Sequence, residues 1–213
     1  MENERAKRMT QLAEVQALTA QDVMTGRDAE VLHSIGQPGI AATIWDRQLD
    51  PVLLDWVSGL SSDRLPEVCE EVAIEGMHSL VLNECEEKKI SACEGREAFL
   101  DDVAQMAKLF GKVMKVERVK IRLDVADEVM CPRFHLDNVA ARLLCTYRGQ
   151  GTLYVVDALR EQPDCYNQVA LGSVGLFRGK QWPSDEQCML VHRSPEVPKG
   201  TGPRLLLVFD PIG

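Results

Sequence analysis

The chain has 213 residues, 45% of them hydrophobic, a formal net charge of −9, and no run near the roughly 20 apolar residues that a membrane-spanning helix needs. That size and composition support one sizeable packed domain and argue against global disorder. The acidic balance argues against a nucleic-acid partner, which needs a basic surface to displace counterions, and against an anionic membrane surface.

In chain order, residues 1–35 read as an N-terminal helical extension. Within NERAKRMTQLAEVQALTA (3–20), Met9, Leu12, Val15 and Leu18 recur at spacings of three, a stripe through which copies of the chain are candidates to associate. The opening MENERAKRMTQLAEVQ has charge but no apolar run after it, so no secretory signal is expected. The seven cysteines form no C-x-x-C pair, which fits reduced thiols in a cytoplasmic protein.

Residues 36–213 read as a single domain. After the turn-like GQPG (36–39) comes a short strand, IAATIW, and then Asp50-Pro51 introduces the helix PVLLDWVSGL. Leu65 to Leu82 and Arg96 to Val113 show helical periodicity; in the second, Phe99, Leu100, Val103, Met106, Ala107 and Phe110 share one face. The stretch 50–113 is therefore expected to be helical and to pack against a sheet. His33 and His78 have no partner at ligand spacing and read as structural or surface residues.

The pattern changes near residue 115. KVERVKIRLDVA alternates with a period of two, and RLLCTY, GTLYVVDA, VALGSVGLFRG, CMLVH and PRLLLVFD follow as short strands separated by Gly, Pro, Asp and Asn clusters. Short strands at such spacing predict an antiparallel barrel or jelly roll over 115–213, and with the helices an α+β chain.

The chemistry concentrates in FHLD. On a strand, alternate side chains point the same way, so His135 and Asp137 would project together. His192, at the end of another strand, is the candidate third ligand. Two histidines and one carboxylate leave coordination positions open, the arrangement used by non-haem iron(II) oxygenases. Arg204 follows His192 by 12 residues at the start of RLLLVFD, where a guanidinium can grip a carboxylate in a fork. That order of ligands and arginine is the one expected for 2-oxoglutarate-dependent oxygenases. Arg142 is an alternative clamp, and Tyr147 and Tyr154 could add a hydroxyl to either carboxylate or serve as wall residues. Lys180 and Trp182, in the loop FRGKQWPSD, are candidates to close over a substrate, with Trp182 equally readable as a packing anchor.

A zinc site competes for the same metal. Cys131 and Cys188 each precede a candidate histidine by four residues, but four extended residues span about 13 Å, too far to chelate one ion; a bend at Pro132 could rescue the first pair, and the second has no breaker. Both cysteines therefore read as small buried residues.

Together, FHLD, RLLCTYRGQGTLYV, VGLF, VHRSP and PRLLLVFD make residues 117–210 resemble a double-stranded β-helix of the Fe(II)/2-oxoglutarate oxygenase superfamily, a cupin-like jelly roll. More closely, the chain from GIAATIWDRQL onward resembles the bacterial Domain of Unknown Function 1826 family, most specifically in CPRFHLDNVAARLLCTYRGQGT. The superfamily resemblance implies Fe(II) on His135, Asp137 and His192, with Arg204 on the distal carboxylate of 2-oxoglutarate and Zn(II) as the alternative metal. The expected activity is oxidation of a small-molecule or protein substrate. A non-catalytic metal-binding or sensor protein and a cupin-type enzyme without 2-oxoglutarate are the rivals, since one fold hosts many functions.

Overall fold

The computed structural model describes residues 19–212. The stripe Met9, Leu12, Val15, Leu18 lies outside the described residues. Twelve strands and three α-helices follow: β1 Thr19–Ala20, β2 Asp22–Gly26, β3 Ile40–Trp45, α1 Pro51–Gly59, β4 Val68–Ala73, α2 Met77–Glu87, α3 Glu94–Met114, β5 Arg118–Ala126, β6 Ala141–Arg148, β7 Leu153–Val156, β8 Asn167–Gln168, β9 Val174–Arg178, β10 Gln187–Cys188, β11 Leu190–Arg193 and β12 Arg204–Ile212.

Seven strands form a mixed sheet in the order β2-β3-β9-β6-β12-β5-β4, in which only β2 and β3 run parallel. A smaller antiparallel sheet, β11-β7-β8, and the short parallel pair β1-β10 complete the framework. The chain is thus α+β, as the periodicities predict. Among the described residues, no helix is long and apolar enough to cross a membrane.

The helices start and stop where local chemistry requires. Asp50 caps α1, its side chain accepting from the Val52 N–H at 2.8 Å, with Pro51 in the first turn. Lys115 adopts a left-handed conformation at the end of α3, and the Val116 N–H returns to the Gly111 carbonyl at 3.1 Å. Leu53 and Val57 of α1, Met77, Val81 and Cys85 of α2, and Phe99, Val103, Met106 and Phe110 of α3 are buried at helical spacing. They pack with Leu143, Cys145, Tyr147, Leu205, Leu207 and Phe209, one face of the large sheet. A buried side chain of this size contributes roughly 1.5–3 kcal/mol.

The opposite face of that sheet carries Leu144, Phe177, Leu206 and Val208, which pack with Val169 and Leu190 and with Tyr154 and Val156 of the smaller sheet. The two sheets therefore enclose a second core, and the candidate site lies at its edge.

Two segments depart from the periodicity reading. Val68–Ala73, expected as helix, is an edge strand paired with β5 from Val68↔Leu123 to Ala73↔Arg118. Its glutamates suit a helix by propensity, but cross-strand pairing with a long neighbour outweighs that preference. The expected helical extension to residue 35 is also corrected over its described part. Thr19–Gly26 are strands, and Ala29–Gly36 is a 3-10 segment whose Leu32 and Ile35 enter the main core. Fully buried Arg178 ties this segment down, donating to the Ile35 carbonyl at 2.7 and 3.0 Å and to the Gln37 carbonyl at 2.7 Å.

Candidate metal centre

His135 and Asp137 do not sit on a regular strand. His135 forms an isolated bridge with His192, each residue donating its N–H to the other's carbonyl at 3.1 Å, and the chain then turns through 136–140. The loop after β9 supports that turn. Lys180 donates its backbone N–H to the Asp137 carbonyl at 2.9 Å, and Gly179 donates to the Ala140 carbonyl at 2.8 Å. Gly179 is required there, because a Cβ would come within 2.1 Å of the Val139 carbonyl oxygen.

The arrangement brings one donor atom each from His135, Asp137 and His192 within 4.8 Å of one another. His192 Nε2 stands 3.0 Å from Asp137 Oδ2, and His135 Nε2 stands 3.6 Å from Oδ1. Donors bound side by side to one first-row ion at about 2.1 Å stand about 3 Å apart, so this spacing fits a shared cation. Asp137 Oδ2 is buried yet makes no aligned hydrogen bond, as a carboxylate oxygen aimed at an ion would be. His135 Nδ1 lies 2.9 Å from the Arg133 carbonyl, which fixes the tautomer with Nε2 free to ligate.

Electrostatics keep Asp137 and His192 in ligating form and act the other way on His135. Burial alone would raise the Asp137 carboxyl, but His135, His192 and Arg142 outweigh it and hold it well below the usual carboxylate range. Burial pushes His192 down and keeps it neutral, whereas the Asp137 contact pulls the more exposed His135 up.

Two arginines stand on the same face of the large sheet, with opposite surroundings. Arg142 Nη1 donates to Asp137 Oδ1 in a short contact, while its Nε and Nη2 reach the two oxygens of Asp210 at 2.7 and 2.8 Å. Its charge is fully answered, so it holds the Asp137 carboxylate in place and is not a free clamp. Arg204 is 2% exposed and donates to neutral oxygens only. These are the Gln150 carbonyl at 2.7 Å and the hydroxyls of Thr146 and Thr152 at 3.1 and 3.0 Å. It forms no ion pair among the described residues; burial pushes it down to about 10, opposed only by the field of Asp124. Thr152 also lines the cleft onto which His135 and His192 open, so Arg204 lies one side chain behind that cleft.

The other expected residues divide. Tyr154 pairs with His192 across β7 and β11 and meets Phe177 edge-on at 5.8 Å, so it stands beside the site. Tyr147 does not. Five residues after Arg142 on β6, it points to the helical face, where its hydroxyl donates to Asp102 at 2.6 Å. Trp182 is likewise turned away. It covers the buried Arg178 guanidinium at 4.7 Å and packs against the helical core, because a buried cation with few charged partners gains from an aromatic face. Lys180 is exposed and acts through its backbone. Cys188 is buried as expected, its thiol against the Arg178 and Leu190 carbonyls, but Cys131 is exposed at the cleft because its segment is not a strand.

Thr146, Thr152 and Asp210 were not anticipated. Thr146 and Asp210 carried a usable signal: each sits at even spacing from Arg142 or Arg204 on the same strand, hence on the same face. Thr152 lies just outside β7, and spacing alone does not point to it.

Residues 26–210 match the profile of a family described as Protein of unknown function (DUF1826). No curated protein matches the chain. Among solved structures, the dioxygenase for auxin oxidation of rice is similar over 90% of this chain and 82% of its own, at 14% identity and a TM-score of 0.50. The dioxygenase for auxin oxidation 1 of Arabidopsis thaliana, in its complex with 2-oxoglutarate, is similar over 90% and 92%, at 9% identity and a TM-score of 0.52. At such identities the likeness is one of fold.

Proposed function

Because the chain belongs to the DUF1826 family of proteins of unknown function, we propose its activity from its own site: an Fe(II)- and 2-oxoglutarate-dependent oxygenase. The observation that carries the reading is Arg204, a buried cation without a counter-ion beside two hydroxyls, behind a His-Asp-His cluster. A dicarboxylate that reaches a metal with one end and Arg204 with the other meets both requirements. The two facing sheets read as a double-stranded β-helix, with His135 and His192 at the mouth and Arg204 deeper within. The fold of the 2-oxoglutarate-bound Arabidopsis dioxygenase supports this reading.

His135, Asp137 and His192 would hold the metal, and with iron and 2-oxoglutarate bound the site would couple oxidative decarboxylation to oxidation of a second substrate. The protein's part is positional. Arg142 and Asp210 fix the Asp137 carboxylate, and Arg133 fixes the His135 ring. Arg204, with Thr146 and Thr152, grips the distal carboxylate in a water-poor setting where a charge-assisted bond is strong. Leu144, Leu206 and Val208 line the cleft and exclude water.

Anaerobic addition of 2-oxoglutarate to the Fe(II)-loaded protein is expected to produce a visible metal-to-ligand charge-transfer band, and His135→Ala to abolish it together with metal binding. No band, with stoichiometric and tighter Zn(II) binding, would overturn the oxygenase assignment in favour of a metal-binding protein. Unchanged metal content in His135→Ala would overturn the ligand assignment.

A further inference from the structure

The cleft onto which His135 and His192 open holds more polar groups than the metal and the oxoacid use. Its wall includes Arg122, Asp124, Arg142, Thr152, Arg193 and Ser194. Arg142 is taken by Asp137 and Asp210, and Thr152 by Arg204. Arg193 lies against the rings of Phe134 and Tyr166, at 5.0 and 5.4 Å, and donates from Nη1 to the Pro132 carbonyl, while its buried Nε has no partner. Apart from Ser194 and the Arg193 Nε, what is left is an ion pair on β5. Arg122 Nη1 donates to Asp124 Oδ2 at 3.0 Å, and neither side chain bonds any other described residue.

These two residues stand two apart on one face of β5, opposite Val208 and Leu206 of β12, which also line the cleft. Their side chains are 25% and 16% exposed. Holding two charges partly out of water costs desolvation, and a pair satisfied only by itself adds little to a strand that already has two neighbours. The chemistry the pair presents is specific. A fork of N–H donors lies directly beside a carboxylate acceptor. A lone anion brought to it would meet one partner and one like charge, and so would a lone cation. A molecule whose carboxylate and ammonium are separated by one carbon satisfies both. The rest of the nearby wall, Met130, Leu144, Leu206 and Val208, is apolar.

We propose that the second substrate is a free α-amino acid with an apolar side chain, its carboxylate on Arg122 and its ammonium on Asp124. The amino acid exchanges with the Arg122–Asp124 contact, so both protein charges keep a partner, and its side chain is directed along the apolar wall toward His135 and His192. This inference rests on the oxygenase reading for its reaction, though not for its binding. In the reaction, one atom of O2 enters a C–H bond of the amino acid and gives C–OH. The other atom enters succinate as 2-oxoglutarate loses CO2. Two of the four electrons that O2 takes up come from 2-oxoglutarate and two from the C–H bond.

The test separates binding from turnover. Free amino acids, each paired with its N-acetyl and its amide derivative, are titrated calorimetrically into the protein as isolated and into the anaerobic Fe(II)/2-oxoglutarate-loaded protein. The expected result is binding of leucine-like or methionine-like amino acids, at least tenfold weaker binding of both derivatives, and a perturbed charge-transfer band in the loaded protein. Removing one partner alone leaves a charge unpaired, so the variant of choice is the double change Arg122→Leu with Asp124→Leu, which replaces the pair with apolar groups. It should keep its 2-oxoglutarate band and lose amino-acid binding at least tenfold. If no amino acid binds, if one derivative binds as well as its parent, or if the double variant binds normally, the inference is overturned. Should the band form while no amino acid perturbs it, the substrate class fails and the oxygenase reading stands. Amino-acid binding without any band would support the Arg122–Asp124 site and overturn the oxygenase reading.

Discussion

The two faces of the seven-stranded sheet differ in how completely they pair buried charge, since Arg204 lacks a carboxylate on the face where Arg142 has two. On the helical face, Arg47 meets both oxygens of Asp102, at 2.5 and 2.8 Å, and Tyr147 donates to the same carboxylate at 2.6 Å, so each charge there has its counterpart. Cys145, beside them, has its thiol pushed up to about 11 by burial and is held inert. On the other face, Asp137 Oδ2 has no aligned hydrogen bond, Arg204 has no carboxylate, and His192 Nδ1 is buried without a partner. A closed set of partners serves the fold. An open set on the same scaffold marks where the fold accepts a cost that a bound group would offset.

Substitutions can break that comparison, and the largest effect is expected on the closed face. Asp102→Ala leaves the Arg47 guanidinium buried and unpaired, which should cost about 3–5 kcal/mol in chemical denaturation while leaving metal affinity unchanged. A small stability loss, or an altered metal titration, would show that the two faces are not independent.

The next effect belongs to the bridge between ligand and scaffold. Arg142→Met frees the Asp137 carboxylate from its support, and metal affinity should fall about 10–100-fold. Because Asp210 loses its partner too, the variant should also be less stable, and adding Asp210→Leu should recover stability but not affinity. Metal affinity equal to wild type would remove Arg142 from the site.

Arg204→Met tests the open face directly. Loss of charge-assisted bonds to a carboxylate should weaken 2-oxoglutarate binding at least about tenfold, corresponding to roughly 1.4 kcal/mol or more. The same change removes a buried cation without a counter-ion but also leaves the Gln150 carbonyl and the Thr146 and Thr152 hydroxyls without their donor, so the stability of the metal-free protein should change by only about 1 kcal/mol. A clear destabilisation would instead make Arg204 a structural residue like Arg47.

The smallest effect is on pH dependence. His135 must lose its proton to ligate, and its contact with Asp137 raises it above the ordinary histidine value of about 6.5. Metal affinity should therefore weaken as pH falls through that raised value. Asp137 adds nothing in that range because its carboxyl titrates far lower. Affinity independent of pH from 6 to 8 would rule out proton competition at His135.

Where the strands are regular their period carries directional information, whereas His135 and Asp137 lie outside one and were legible by residue type and spacing. Arg142, Leu144 and Thr146 alternate with Leu143, Cys145 and Tyr147, so β6 alone indicates that Tyr147 faces away from Arg142. The expectation for Tyr147 failed by setting residue type above parity. For Trp182 the structure selects the packing reading, since the ring covers Arg178, which precedes it at the end of β9, and packs against the helical core. Val68–Ala73 and Thr19–Gly26 were misread because edge strands take their hydrogen bonds from distant segments, which local propensity does not contain.

By itself, the sequence determined the mixed α+β composition, the start of α1 at Asp50-Pro51, and the candidacy of His135, Asp137, His192 and Arg204, since these follow from period, capping and residue type. The tertiary structure alone decided which arginine is spent on protein carboxylates and which is left open. That depends on where Asp210, Asp137, Thr146 and Thr152 meet across strands far apart in the chain, and a charge's role is set by its neighbours in space.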